Sequence, residues 1–90
     1  MTSTEFEKKA FEIVGGAEHF RLDAERFGNV CEIKLWMTDP WGQDSIVFAS
    51  SNNGDDVTDK LILSDLKKRL EICVDYTKTH YDYEHRINIA

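Results

Sequence analysis

The sequence predicts a small α+β domain: a helix, a three- to four-stranded antiparallel sheet and a second helix, with both helices on one face of the sheet. Three observations support this fold class. Apolar residues recur with helical spacing near both ends of the chain, and they alternate with polar residues in the middle. The length of 90 residues allows a single domain with one modest core, so residues 1–90 are expected to fold as one unit.

The first helix is predicted over residues 5–14. Thr4 followed by Glu7 matches a capping box, and Gly15-Gly16 supplies a C-terminal stop that tolerates a left-handed backbone. The apolar positions of this segment share one helical face: Phe6, Ala10, Ile13 and Val14.

Three strands are predicted next, because the apolar period changes to two from Phe20 onwards. They cover residues 20–25, 30–37 and 45–49, with a turn at 27–29 and a loop around Pro40. The alternation places one set of residues on the sheet face away from the helices: His19, Arg21, Asp23, Glu32, Lys34, Trp36, Ser45 and Val47.

Residues 57–63 fit two interpretations. Thr58 or Asp59 could cap one long helix, or Lys60 to Leu63 could form a short fourth strand before a helix capped by Ser64. We favour the strand, because three consecutive large apolar residues suit a buried strand end. The last helix then ends near His80, and residues 81–90 form a tail or an edge strand through Ile87 and Ile89.

Composition indicates a globular cytoplasmic protein. Apolar residues make up 41% of the chain and charged residues 31%, and no apolar run approaches the roughly 20 residues of a membrane-spanning helix. The first residues lack the basic and apolar regions of a secretory signal. Cys31 and Cys73 lie on apolar stripes and form no CxxC pair, so we expect two reduced, buried thiols.

The charge distribution and two tryptophans indicate a protein-binding function. Between Asp39 and Asp65 there are six acidic residues and one basic residue, in a chain of net charge −6, and Trp41 follows Pro40 at a predicted loop tip. We expect a non-enzymatic interaction module, an inhibitor or accessory factor of phage or mobile-element type, that binds a basic protein surface and forms a homodimer. The candidate partner-binding residues are Trp36, Trp41, Asp39, Asp44, Asp55, Asp56 and Tyr76.

Catalytic and metal-binding patterns are weak in this sequence. His80, Asp82 and His85 carry suitable ligand atoms, but their spacing matches no established motif and solvated tail residues are the favoured interpretation. An EF-hand loop centred on Gly54 fails, because Ala49 and Lys60 occupy its first and twelfth positions. We therefore expect no enzyme activity, no cofactor and no metal site.

Two nucleic-acid hypotheses remain as alternatives. Lys67, Lys68 and Arg69 fall in the first turn of the predicted last helix, and the helix–three strands–helix layout is similar to that of double-stranded-RNA-binding domains. The acidic loops oppose phosphate binding, so this alternative is disfavoured. The second hypothesis is mimicry of nucleic acid by aspartates on neighbouring loops: Asp39, Asp44, Asp55, Asp56 and Asp59.

Overall fold

A computed structural model describes residues 1–84 and confirms the predicted α+β class. A helix is followed by three strands and a second helix; the edge strand suggested for Ile87 and Ile89 lies outside the described residues. The elements are α1 (Ser3–Val14), β1 (Phe20–Phe27), β2 (Val30–Thr38), β3 (Asp44–Ser51) and α2 (Asp56–His80). No helix among residues 1–84 is both long and apolar enough to span a membrane.

The three strands form an antiparallel meander in the order β1-β2-β3. Gly28 and Asn29 connect β1 to β2 as a two-residue hairpin turn, and Gly28 has a φ of +60°. Tight hairpin turns require positive φ, which glycine adopts without steric cost. The register of the first two strands follows from this turn, with Phe27 opposite Val30 and Leu22 opposite Leu35.

Helix α1 begins earlier than predicted. Thr2 is the N-cap, and its hydroxyl oxygen accepts a hydrogen bond from the Glu5 backbone N–H at 3.1 Å. The capping role assigned to Thr4 was wrong, because the Thr4 hydroxyl instead accepts a hydrogen bond from Arg26 of β1 at 2.8 Å. The predicted C-terminal stop is confirmed: Gly15 has a φ of +54°, and its N–H donates to the Phe11 carbonyl.

Helix α2 contains the segment that we predicted as a fourth strand, so that prediction was wrong. The helix starts at Asp56, nine residues before the predicted start at Asp65. Asp55 caps it by accepting hydrogen bonds from the Val57 N–H and the Thr58 hydroxyl. Within the apolar run, Leu63 is buried, Ile62 is half-buried and Leu61 is exposed, as expected for successive positions around a helix and not for a buried strand.

The core lies between the sheet and both helices, which pack on the same sheet face and against each other. Asn52 closes one end of this core: its side-chain oxygen accepts a hydrogen bond from the Cys31 N–H at 2.6 Å, and its own N–H donates to the Cys31 carbonyl. Cys31 and Cys73 are free and buried, as predicted. The buried apolar residues are Phe6, Ala10, Val14, Leu22, Cys31, Ile33, Leu35, Leu63, Leu66, Leu70 and Cys73.

A β-bulge in β3 reverses the predicted orientation of part of that strand. Leu35 pairs with Phe48, whereas the next residue, Trp36, pairs with Ile46, which leaves Val47 as the extra residue. Val47 packs against the core instead of lying on the uncovered face, and Ser45 pairs with Met37 on the helix side. The predicted places of Ser45 and Val47 were therefore wrong, and Ile46 takes the outward position.

Candidate partner-binding surface

The sheet has one face covered by the helices and one face without a covering element among residues 1–84. We call the second one the open sheet face. The strand register places thirteen side chains on it, since directly opposed residues point to the same side of a sheet. They are Arg21, Asp23, Glu25, Phe27, Val30, Glu32, Lys34, Trp36, Thr38, Asp44, Ile46, Ala49 and Ser51.

Trp36 lies on the middle strand, near the end of this face that adjoins the β2–β3 loop. It lies opposite Arg21 of β1 and Ile46 of β3, and Ile46 is 47% exposed. The Arg21 guanidinium carbon lies 5.2 Å from the centroid of the Trp36 ring, within cation–π range. The indole Nε1 is buried and has no hydrogen-bond partner within the described residues. The three side chains form a platform of mixed apolar and cationic character.

Carboxylates outnumber cations on the open sheet face. Four acidic side chains (Asp23, Glu25, Glu32 and Asp44) accompany two basic ones (Arg21 and Lys34). Arg21 forms ion pairs with Asp23 at 2.8 Å and with Asp44 at 3.4 Å, and Asp23 is the main cause that raises the pKa of the guanidinium. Lys34 lies 3.4 Å from Glu32. Glu25 lies opposite Glu32, so like charges meet across the strands and the face keeps a negative excess.

The loop between β2 and β3 carries Trp41 at the end of the sheet where Trp36 and Ile46 lie. The Asp39 carboxylate accepts hydrogen bonds from the backbone N–H groups of Trp41 (2.9 Å) and Gln43 (2.8 Å). Pro40 is buried and Gly42 has a φ of +84°, which completes a tight reversal. The Trp41 side chain is 61% exposed, as the turn residues predicted.

The aspartates predicted to bind a partner already make structural contacts in the folded chain. Asp39 holds the loop, and Asp44 accepts a hydrogen bond from the Thr38 hydroxyl at 2.6 Å while pairing with Arg21. Asp55 caps α2, and the Thr58 hydroxyl is the main cause that lowers its pKa. The α-amino group of Met1 lies 2.6 Å from Asp56 and lowers the pKa of that carboxyl.

The predicted acidic residues do not form one surface. Asp44 begins β3 and Asp55 follows its far end, so they are separated by roughly 23 Å, the length of the strand. Asp59 is fully buried in the first turn of α2, where it accepts a hydrogen bond from the Asn53 N–H and lies 3.4 Å from the Met1 amine. The hypothesis of nucleic-acid mimicry assumed that these aspartates lie on neighbouring loops, and that assumed placement was wrong.

Tyr76 lies on the helix layer and not on the open sheet face. It is 44% exposed on α2, stacks on His80 with ring centroids 4.2 Å apart, and meets Tyr81 edge to face. The structure thus separates Tyr76 from the two tryptophans that we grouped with it.

An aromatic cleft of about 400 Å³ lies between the end of α2 and the start of β1. His19, which has a φ of +70°, stacks on Tyr83 with centroids 3.4 Å apart, and the Tyr83 hydroxyl donates to the Thr38 carbonyl at 2.7 Å. Burial is the main cause that raises the pKa of Tyr83. Sequence reasoning missed this cleft; the closely spaced Tyr81 and Tyr83, which line it, were a signal in the sequence.

The basic residues Lys67, Lys68 and Arg69 lie in the middle of α2, because the helix begins at Asp56. Their predicted place in the first helical turn was wrong. Three consecutive helical residues also project over about 200° of the helix circumference, so they do not share one face. The similarity to a nucleic-acid-binding domain therefore no longer includes basic residues in the first turn of the last helix.

Residues 1–84 contain no cluster of three or more His, Cys, Asp or Glu side chains suited to a metal ion, and His85 lies outside the described residues. Burial is also the main cause that raises the pKa of both Cys31 and Cys73, which keeps the thiols protonated and poorly nucleophilic. Comparisons with protein-family models, curated proteins and solved structures find no match to this chain.

Proposed function

We propose that this chain is a non-enzymatic protein-binding module that contacts a basic partner through its open sheet face and the Trp41 loop. The observation that carries this proposal is the position of Ile46 and Trp41, two large apolar side chains exposed at one end of an uncovered sheet. Contiguous exposed apolar groups within a polar surround are typical of interaction sites. The role fits a small inhibitor or accessory protein.

The aromatic groups supply the expected binding energy. Trp41 sits on a loop that Asp39 holds in place, so its burial costs little backbone entropy. Trp36 is already fixed between Arg21 and Ile46, so its contact with a partner costs little side-chain entropy. Tryptophan is the residue most enriched among interface hot spots.

Charge supports a basic partner. The open sheet face carries four carboxylates and two cations, and the whole chain has a net charge of −6. Such a field accelerates association with a positively charged protein and makes that rate sensitive to salt. Glu25 is the best single position at which to test whether negative charge accelerates association with the partner. It lies opposite Glu32, so neutralising its side chain also relieves a like-charge contact.

The proposal is tested by capture on the immobilised wild-type protein, identification of the retained protein and measurement of its affinity. Trp41→Ala and Ile46→Thr should each weaken binding by about 30-fold or more, which corresponds to about 2 kcal/mol. Each should change the free energy of unfolding by no more than about 0.5 kcal/mol. Glu25→Gln should slow association and leave dissociation nearly unchanged.

Phe11→Ala is the matched control, since Phe11 is an exposed aromatic on α1, away from the open sheet face. It should bind like the wild type. The proposal fails if Trp41→Ala and Ile46→Thr keep wild-type affinity. It also fails if the retained molecule is a nucleic acid that is lost with Lys67→Ala and Lys68→Ala.

A further inference from the structure

Helix α2 carries a second apolar stripe, which does not pack into the hydrophobic core. Its buried stripe contains Leu63, Leu66, Leu70 and Cys73, whereas four other large side chains point outward and are 44% to 68% exposed. At 100° per residue, these outward positions lie about 150° around the helix from the buried stripe. The four residues are Val57, Leu61, Ile72 and Tyr76.

The outward stripe also contains an acidic and a basic residue at its centre. Asp65 and Lys68 are both exposed and fall within the same arc of about 100° as the four apolar residues. Along the helix the six positions 57, 61, 65, 68, 72 and 76 are spaced by four, four, three, four and four residues. The order of these intervals is the same when counted from either end of the helix.

We infer that a second copy of this chain docks on the outward stripe, with the two α2 helices antiparallel across a two-fold axis. In that arrangement Val57 of one copy meets Tyr76 of the other, and Leu61 meets Ile72. The central Asp65 meets Lys68, and the two-fold axis generates each of these contacts twice. Apolar groups thus pack on apolar groups, and both central charges are paired.

The parallel arrangement lacks this complementarity. It would place Asp65 against Asp65 and Lys68 against Lys68, so like charges would meet at the centre of the contact. The Tyr76 side chain is also held in place before association, because its ring is stacked on His80 and contacts Tyr81 edge to face. A side chain that is fixed before association loses less entropy on binding.

The dimer is independent of the proposed partner surface. Helix α2 packs on the opposite side of the sheet from Trp36 and Ile46, so dimerisation leaves the open sheet faces of both copies accessible. Failure of the dimer and failure of the protein-binding proposal are therefore distinguishable. A contact limited to one helix pair is small, so we expect a dissociation constant on the order of micromolar.

Sedimentation equilibrium over roughly 1 to 500 µM tests the inference. The average mass should rise from the monomer value of 10.4 kDa towards twice that value as concentration increases. The double variant Leu61→Glu/Ile72→Glu should stay monomeric throughout. The matched control Phe27→Glu, which changes an exposed aromatic on the β1–β2 hairpin, should dimerise like the wild type.

A charge exchange tests the contribution of the two central charges to the contact. Asp65→Lys alone and Lys68→Glu alone should each weaken self-association at least about tenfold, because each places like charges together twice. The double variant Asp65→Lys/Lys68→Glu should recover wild-type association, because the exchanged charges again meet opposite charges across the two-fold axis. Circular dichroism of dilute monomer verifies that each variant is folded.

Three outcomes overturn the inference. One is a wild-type protein that remains monomeric over the whole concentration range. Another is a dimer that survives Leu61→Glu/Ile72→Glu but is lost with Ile46→Thr, which would place the contact on the open sheet face. The third is a double charge variant that stays as weak as the single variants.

Discussion

Aspartate side chains in this chain mainly stabilise backbone junctions. Asp39 holds the loop that carries Trp41, Asp55 caps α2, and Asp59 is buried in the first turn of that helix. The role of Asp39 could be predicted from the Asp-Pro-Trp-Gly sequence, because these residue types favour a turn. The burial of Asp59 could not, since it depends on the packing of Met1 and the 52–55 segment over α2.

The cap at Asp55 gives a pH-dependent prediction. Its pKa is lowered in the folded protein, chiefly by the Thr58 hydroxyl, so the ionised carboxylate stabilises the fold above the unfolded-state pKa of 3.8. That stability is lost as the pH falls through the lower pKa of the folded state. Asp55→Ala should therefore lower the thermal midpoint at pH 7 by about 5 °C.

The matched control is Asp55→Asn, which keeps a capping oxygen and should remain within about 2 °C of the wild type at pH 7. Thermal unfolding followed by circular dichroism at pH 7 and pH 2.5 measures both variants. The difference between the wild type and Asp55→Ala should shrink at the lower pH. An equal difference at both values would contradict the assignment of an ionised cap.

The element that the sequence left ambiguous is the start of α2. Leu61, Ile62 and Leu63 satisfy the hydrophobicity of a short strand, and Ser64-Asp65 satisfies the chemistry of a helix start. The structure resolves the choice through Asp55 and Thr58, whose contacts begin the helix about two and a half turns earlier. The β-bulge at Val47 could not be predicted from the sequence either, because it depends on the pairing of β3 with β2.

A proline at position 65 distinguishes the two interpretations of this element. Asp65 lies inside α2, so Asp65→Pro should remove a hydrogen bond to the Leu61 carbonyl and cost about 3 kcal/mol or more in the free energy of unfolding. If residues 60–63 were a strand, position 65 would be the first helical residue, where proline is well tolerated.

Urea unfolding of the Asp65→Pro variant measures this cost, with Asp65→Ala as the control for loss of the carboxylate. The alanine variant should stay within about 0.5 kcal/mol of the wild type. A proline variant as stable as the alanine variant would contradict a continuous helix from Asp56 to His80.

The whole molecule presents two different surfaces on opposite sides. The open sheet face and the Trp41 loop carry the proposed partner site, and the outward stripe of α2 carries the inferred dimer contact. Alternation of residues predicted the place of Trp36 on the open sheet face, and turn chemistry predicted the exposure of Trp41. Tyr76, Asp55 and Asp56 lie apart from the two tryptophans, and this separation could not be predicted because spatial proximity depends on strand length and helix placement.

Oxidative footprinting of side chains, with and without the captured partner, tests the central claim most directly. Hydroxyl radicals label exposed aromatic and aliphatic groups, so each surface has its own reporters. At equal protein concentration, labelling of Trp41, Trp36 and Ile46 should fall several-fold in the complex, while Phe11 should stay unchanged. Unchanged labelling of Trp41 and Ile46, together with protection confined to α2, would contradict the proposed partner surface.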